Sequence, residues 1–288
     1  MSNLNMYFLM TFAFTLTLPN AVRCQESPKK TSEPKEKSVT TQRIEKHFER
    51  VSAYLGDSKK PMTMIPALFW TNRSRGQDSD GKSATVLFVQ DGRPRAACCV
   101  YPPLPSDSVA HEYGSLTEKE PVRVEIDGRT RWKPKTGGVK FTTLSDSPMP
   151  SKSKTARLSQ MKLLARQFDI DIFWRGVQRE NLRLLAKPLY RYEVTEDAEL
   201  IDGAVFCFAM GGVDPEILLL LEAVKPKGED SAKASWRCGF ARRTSAQINV
   251  AHRPPGKEKR EVWSVSQLQG SGPTDTFMQT GVNNPSKN

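Results

Sequence analysis

The chain has 288 residues, 38% hydrophobic and 26% charged, with a mean hydropathy of −0.53, enough apolar material for one or two compact domains. Lys and Arg total 43 against 32 Asp and Glu, giving a net charge of +11 and a pI of about 9.5, which favours polyanionic partners without choosing among nucleic acid, acidic glycan and anionic lipid. Cys24, Cys98, Cys99, Cys207 and Cys238 form no CxxC, and the histidines are only His47, His111 and His252, so the composition argues against a disulfide-stapled miniprotein, a zinc ribbon or a clustered His/Cys metal site.

Met6 to Leu18 is an apolar run of 13 residues, the length of a signal-peptide h-region and too short for a membrane span. Residues 1–24 therefore read as a signal peptide, although Met1 to Asn5 contain no Lys or Arg. Cleavage can follow Ala21 or Cys24, and Arg23 argues against lipidation of Cys24. The competing reading is a buried N-terminal strand or helix. Export implies a periplasmic, envelope-associated or secreted protein, with no transmembrane span in the mature chain. Residues 25–42, rich in Pro, Ser, Lys and Glu, read as a disordered linker.

The first ordered half spans residues 43–143. Ile44, Phe48, Val51 and Leu55 predict an amphipathic helix over Arg43 to Leu55, with Thr41 as N-cap. Pro66 opens an extended segment to Trp70, and Asp80-Gly81 leads into a hairpin from Ala84 to Tyr101 that turns at Asp91 to Pro94. A further strand pair spans Pro121 to Trp132, turning at Asp127-Gly128.

Residues 144–155 are polar and read as a second linker, after which residues 156–266 repeat the order. Leu158, Met161, Leu164 and Phe168 predict a helix over Arg157 to Phe168, with Thr155 as cap. Pro188 opens an extended segment to Tyr192. Asp202 to Val224, the most apolar stretch beyond the N-terminus, is a second hairpin, and Ser245 to Trp263 a second strand pair turning through Arg253 to Lys259. Phe48, Val51 and Leu55 align with Met161, Leu164 and Phe168. The shared order predicts a duplicated α+β protein of two similar halves, each an amphipathic helix followed by antiparallel β-hairpins. Whether the halves make one sheet or two domains is left open. Residues 267–288 read as a disordered tail.

A helix like RLSQMKLLARQF followed by LYRYE, VDPEILLLLEA and a terminal EVW resembles an uncharacterised family of exported bacterial proteins of planctomycete type. The resemblance covers most of residues 43–265. It implies export and this architecture, and it transfers no catalytic residue. Such proteins look like they favour FARMTSG where this chain has Phe240 to Ala246, FARRTSA.

Chemistry-bearing patterns are sparse. His111, Glu112 and Ser115 contain the parts of a triad, but neighbours on a strand point to opposite faces and no GxSxG elbow is present. Cys98-Cys99 sits in an apolar strand and reads as core. Asp80 and Asp202 precede glycine and read as turn residues. Asp78-Ser-Asp80-Gly81 lacks the remaining calcium-loop ligands, and Gly211-Gly212 lacks the helix and lysine of a phosphate cradle. No cofactor is expected. In an oxidising compartment Cys207 and Cys238 can form one disulfide, because both fall in predicted neighbouring strands.

The clearest polar feature is Arg129-Thr-Arg-Trp-Lys-Pro-Lys135. Period-two geometry puts Arg129, Arg131, Lys133 and Lys135 on one side of an extended segment and Trp132 on the other. Such a ladder can track a polyanion or guard an edge strand against pairing. Nucleic acid is the weaker ligand, because the aromatic residue points inward. The sequence therefore predicts an exported, non-catalytic binding or scaffolding protein of the cell envelope, with an anionic polysaccharide or envelope surface as partner. The alternative is an envelope hydrolase or carbohydrate-active enzyme with a site between the halves.

Overall fold

A computed structural model describes residues 39–71, 82–101, 109–174, 178–194, 199–210, 214–225 and 233–282. Strand makes up 53% and helix 9%, so the α+β expectation is corrected: the described residues form a mainly antiparallel β structure of four sheets with two short helices. Helix α1 (Val39–Phe48) leads to β1 (Val51–Leu55), β2 (Thr63–Thr71), β3 (Lys82–Gln90), β4 (Arg93–Tyr101), β5 (Val109–Ser115), β6 (Val122–Ile126), β7 (Arg129–Trp132) and the short β8 (Thr142–Thr143). Helix α2 (Lys154–Ala165) leads to β9 (Phe168–Trp174), β10 (Gln178–Asn181), β11 (Arg183–Leu184), β12 (Tyr190–Arg191), β13 (Leu200–Met210), β14 (Asp214–Val224), β15 (Ser235–Arg242), β16 (Gln247–His252), β17 (Arg260–Val265) and β18 (Phe277–Val282).

Alternation within the strands sets the layers. Val86, Phe88, Cys98 and Val100 face the sheet β1-β6-β7, with Ile44 and Phe48 of α1 in the same core. Leu87, Val89 and Ala97 point the other way, onto Val205, Cys207, Leu218 and Leu220. Phe206, Phe208, Leu219 and Leu221 then meet Ile170, Ile172, Ile248 and Val250 of the sheet β10-β9-β16-β17, together with Met161 and Leu164 of α2. The sheets β18-β5-β4-β3-β2 and β11-β13-β14-β15-β8 are thus inner layers, covered on both faces. Strands with two buried faces need apolar residues at consecutive positions, which is why Ile217 to Leu221 is an unbroken hydrophobic run.

The two outer–inner sheet pairs share a central strand order, although the second pair carries additional strands such as β10. The order β1-β6-β7 recurs as β9-β16-β17, and β5-β4-β3 as β15-β14-β13. Register irregularities recur too: the β3–β4 shift between Phe88 and Val89 is answered by the β13–β14 shift between Phe208 and Ala209. The shift between Val124 and Glu125 is answered by the one between Val250 and Ala251. Asp127 N donates to Arg50 O at 3.1 Å, and Arg253 N to Gln167 O at 2.7 Å.

Several local expectations change. The helix expected over Arg43 to Leu55 stops at Phe48, and Val51 to Leu55 is a strand with alternating burial. Thr41 lies inside α1. In α2, Ser153 is the N-cap, its side chain accepting from Ala156 N, and Phe168 begins β9. Strand register aligns Val51 with Phe168, so the helical alignment of Phe48 with Met161 was out of step. The polar stretch 144–155 packs: Leu144 N donates to Trp236 O at 2.8 Å, and Gln160 bonds Ser151 N and Met149 O. Within the tail expected to be disordered, Phe277–Val282 pairs along β5. Cys207 and Cys238 are not joined by a disulfide; β14 lies between their strands, and their side chains enter different cores. The expected signal peptide, Asp78 to Gly81 and Gly211-Gly212 lie outside the described residues. Among the described residues, no helix is long and apolar enough to cross a membrane.

Candidate cationic binding ladder

Residues 129–135 are fixed from beneath and beside. Trp132 is fully buried, stacked on Tyr113 with ring centroids 5.5 Å apart, and its Nε1 donates to Asp275 O at 2.7 Å. Beyond the end of β7, Lys133 N donates to Pro273 O at 2.7 Å and Lys135 N to Thr274 O at 3.0 Å. Arg131, Lys133 and Lys135 are exposed, while Trp132 and Pro134 between them are buried. Lys133 makes one surface contact, 3.7 Å to Asp57, of little energetic weight. Among the described residues, Arg129, Arg131 and Lys135 form no ion pair.

One part of the ladder differs from strict alternation. Thr130 pairs with Glu125 and Trp132 with Val124, so Arg131 is the extra residue of a bulge. Arg129, paired with inward-facing Ile126, therefore falls out of phase with Arg131, Lys133 and Lys135. It is nonetheless exposed.

The matched strand supplies a control. In β17, Arg260 pairs with His252 and Trp263 with Val250, so Arg129 and Trp132 correspond to Arg260 and Trp263. Val262 then stands where Arg131 stands, and Ser264 and Ser266 follow Trp263 at the sequence offsets at which Lys133 and Lys135 follow Trp132. Both strands end their sheets. An edge in this position does not require cations, and the main chain at Lys133 and Lys135 is already paired.

The turn between β16 and β17 is basic in composition but compensated. Asp169 receives Arg253 at 2.8 Å and Lys259 at 3.2 Å, and Asp146 receives Lys257 and, at 3.1 Å, Arg260. The hydrogen bond from Lys257 holds the Asp146 carboxyl below its usual range, with Arg260 adding to the effect. Beside this turn a cavity of about 500 Å³ is lined by Pro148, Leu163, Leu164, Arg253 and Pro255 among others. A neighbour of about 560 Å³ includes Arg179, Asn181 and Lys259. Both fall within the size range of ligand pockets, and both belong to the second half, not to a boundary between halves.

The triad parts are not assembled. His111 is fully buried with Nδ1 2.6 Å from Tyr113 Oη, whereas Ser115 Oγ lies 3.0 Å from Thr117 Oγ1. Burial, with His47, Arg50 and Arg131 nearby, lowers the His111 pKa to about 2. Burial pushes the Cys98 thiol up to about 12, which suits packing and not nucleophilic attack. Among the described residues, no group of three or more His, Cys, Asp or Glu side chains could hold a metal ion.

Buried ion pairs were the feature sequence reading missed. Asp202, expected in a turn, lies within β13 and receives Arg157 Nε at 2.8 Å and Arg191 Nη2 at 2.6 Å. Burial alone would raise its carboxyl, but the bonds from Arg191 and Arg157 hold it below the ordinary value. Glu222, fully buried in β14, receives Arg93 at 2.8 Å and Arg237 at 2.7 Å, and both guanidiniums lie over the Phe141 ring. Only the place of Glu222 between Leu221 and Ala223, inside an apolar run, could have hinted at this.

Comparison with protein-family models, curated proteins and solved structures found no match.

Proposed function

We propose that this is an exported, non-catalytic binding protein of the cell envelope that holds an anionic polymer along Arg131, Lys133 and Lys135, with Arg129 adding to the local positive charge. The observation that carries the reading is the contrast with β17, where Val262 stands in place of Arg131, and Ser264 and Ser266 take the sequence offsets of Lys133 and Lys135. Cations the fold does not require, balanced among the described residues only by the exposed contact of Lys133 with Asp57, are best accounted for by a ligand. Successive members of the ladder are close in sequence and of one sign, and they repel one another until a polyanion runs alongside. The buried Trp132 and the paired main chain fix the ladder before the ligand arrives, which lowers the entropy cost of binding. The h-region at Met6 to Leu18 supports export, and a mature N-terminus after residue 21 or 24 would bear that out.

Titration of the secreted chain with a sulfated polysaccharide and with a polyuronate tests the ladder. Changing Arg131, Lys133 and Lys135 to Ser should weaken binding at least about tenfold, or about 1.4 kcal/mol. Unchanged affinity would sink the proposal. Binding only to single-stranded nucleic acid would assign the ladder to a different ligand and contradict it equally.

A further inference from the structure

The two last strands of the repeated order do not stay with their own halves. Thr142 and Thr143 of β8 follow β7 in sequence yet pair with Cys238 and Arg237 of β15. Residues 277–282 of β18 follow β17 yet pair with residues 109–114 of β5. In the matched register His111 of β5 corresponds to Cys238 of β15, and their partners are Thr280 and Thr142. Each half therefore extends the inner sheet of the other at the same place.

Side chains close the same boundary. Arg243, fully buried, reaches from the second half to donate to Ala97 O at 3.2 Å and Glu112 O at 2.6 Å in the first. It fits because residue 114 is glycine; a Cβ there would stand 2.8 Å from Arg243 Nη1. Glu193 N donates to Gly92 O at 2.9 Å.

We infer that the fold is a duplicated unit fused as a strand-exchanged pair, and that the C-terminal arm, residues 272–282, is a positioning element of the cationic ladder. The arm runs from Pro273, Thr274 and Asp275, whose carbonyls receive Lys133 N, Lys135 N and Trp132 Nε1, directly into β18. Docking of β18 on β5 thus sets the backbone that carries Lys133 and Lys135. The arm's effect on binding rests on the anion-binding reading above; the exchange itself does not.

The test uses the full chain with Phe277→Asp and Met278→Asp, which places two carboxylates where 1% and 4% exposed side chains anchor the arm. Amide hydrogen exchange, measured without any anion, should rise at least about tenfold in residues 109–115 and at Lys133 and Lys135, while β9 and β16 keep their protection. Unchanged protection in the first group would overturn the inference. If that variant unfolds throughout, the milder Met278→Ala in the full chain decides: exchange raised in residues 109–115 and at Lys133 and Lys135 while β9 and β16 stay protected supports the inference, and unchanged protection there refutes it. Loss of polyanion binding in the variant tests the positioning role separately, so a ladder that binds nothing would leave the exchange result standing.

Discussion

Replacing Glu222 by Ala should be among the most destabilising single changes in the molecule. Its carboxylate is fully buried and serves two guanidiniums, Arg93 from the first half and Arg237 from the second. Removing one partner of a buried ion pair typically costs about 3–5 kcal/mol, because the remaining charge is left desolvated. Here Arg93 and Arg237 side chains are 21% and 27% exposed, so water can reach them and the low end, about 3 kcal/mol, is expected. In a chain of this size that corresponds to a fall of roughly 6–12 °C in Tm. Urea unfolding of the wild type, Glu222→Ala, Arg93→Ala and the double variant gives both the cost and the coupling. A loss below about 1 kcal/mol, the value of an exposed pair, would show that the cluster is not a lock between the halves.

Two further outcomes follow from local geometry and titration. Gly92 and Gly128 both adopt positive φ, 69° and 71°, in Asp-Gly turns, but a Cβ at Gly92 would lie 1.7 Å from Glu193 O whereas Gly128 has open space. Gly128→Ala should cost about 1–2 kcal/mol of backbone strain, and Gly92→Ala at least about 2 kcal/mol more; equal thermal unfolding midpoints would contradict this. His111 is held neutral in the fold, its pKa lowered to about 2 by burial and by His47, Arg50 and Arg131, so the unfolded state protonates first. Its contribution is complete above about pH 6.5 and declines as pH falls, by up to about 1.4 kcal/mol per unit. His111→Gln should flatten the stability profile between about pH 6.5 and 4.5, and an unchanged slope would refute the assignment.

The hairpins Ala84 to Tyr101 and Asp202 to Val224 were legible because apolar runs flank turn residues of fixed type. Residues 51–55 were not, because Phe48, Val51 and Leu55 satisfy helical spacing while Val51, Ala53 and Leu55 satisfy strand spacing. Ala53, fully buried, is too small to register as a core signal. Two short helices in matching places suggested an α+β fold, but covering each inner sheet on both faces fell to other sheets, which no local pattern discloses. Asp202 was misread because Asp-Gly usually marks a turn, while its two arginine partners lie 45 and 11 residues away. Phe277–Val282, flanked by Gly, Pro and Asn, carries too little apolar length to announce a strand, and its partner β5 is remote in sequence. The ladder's inward tryptophan was readable from alternation; the bulge at Arg131 was not.

The salt dependence of polyanion binding tests the central claim most directly. Each phosphate-like contact neutralised by a cation contributes about 0.7–0.9 to the slope of log K against log salt. Changing Arg131, Lys133 and Lys135 to Ser should therefore lower the slope for a sulfated polysaccharide by about 2–3, while thermal stability stays close to wild type because all three side chains are exposed. A slope that does not move would contradict the account and leave the cations as solvated surface.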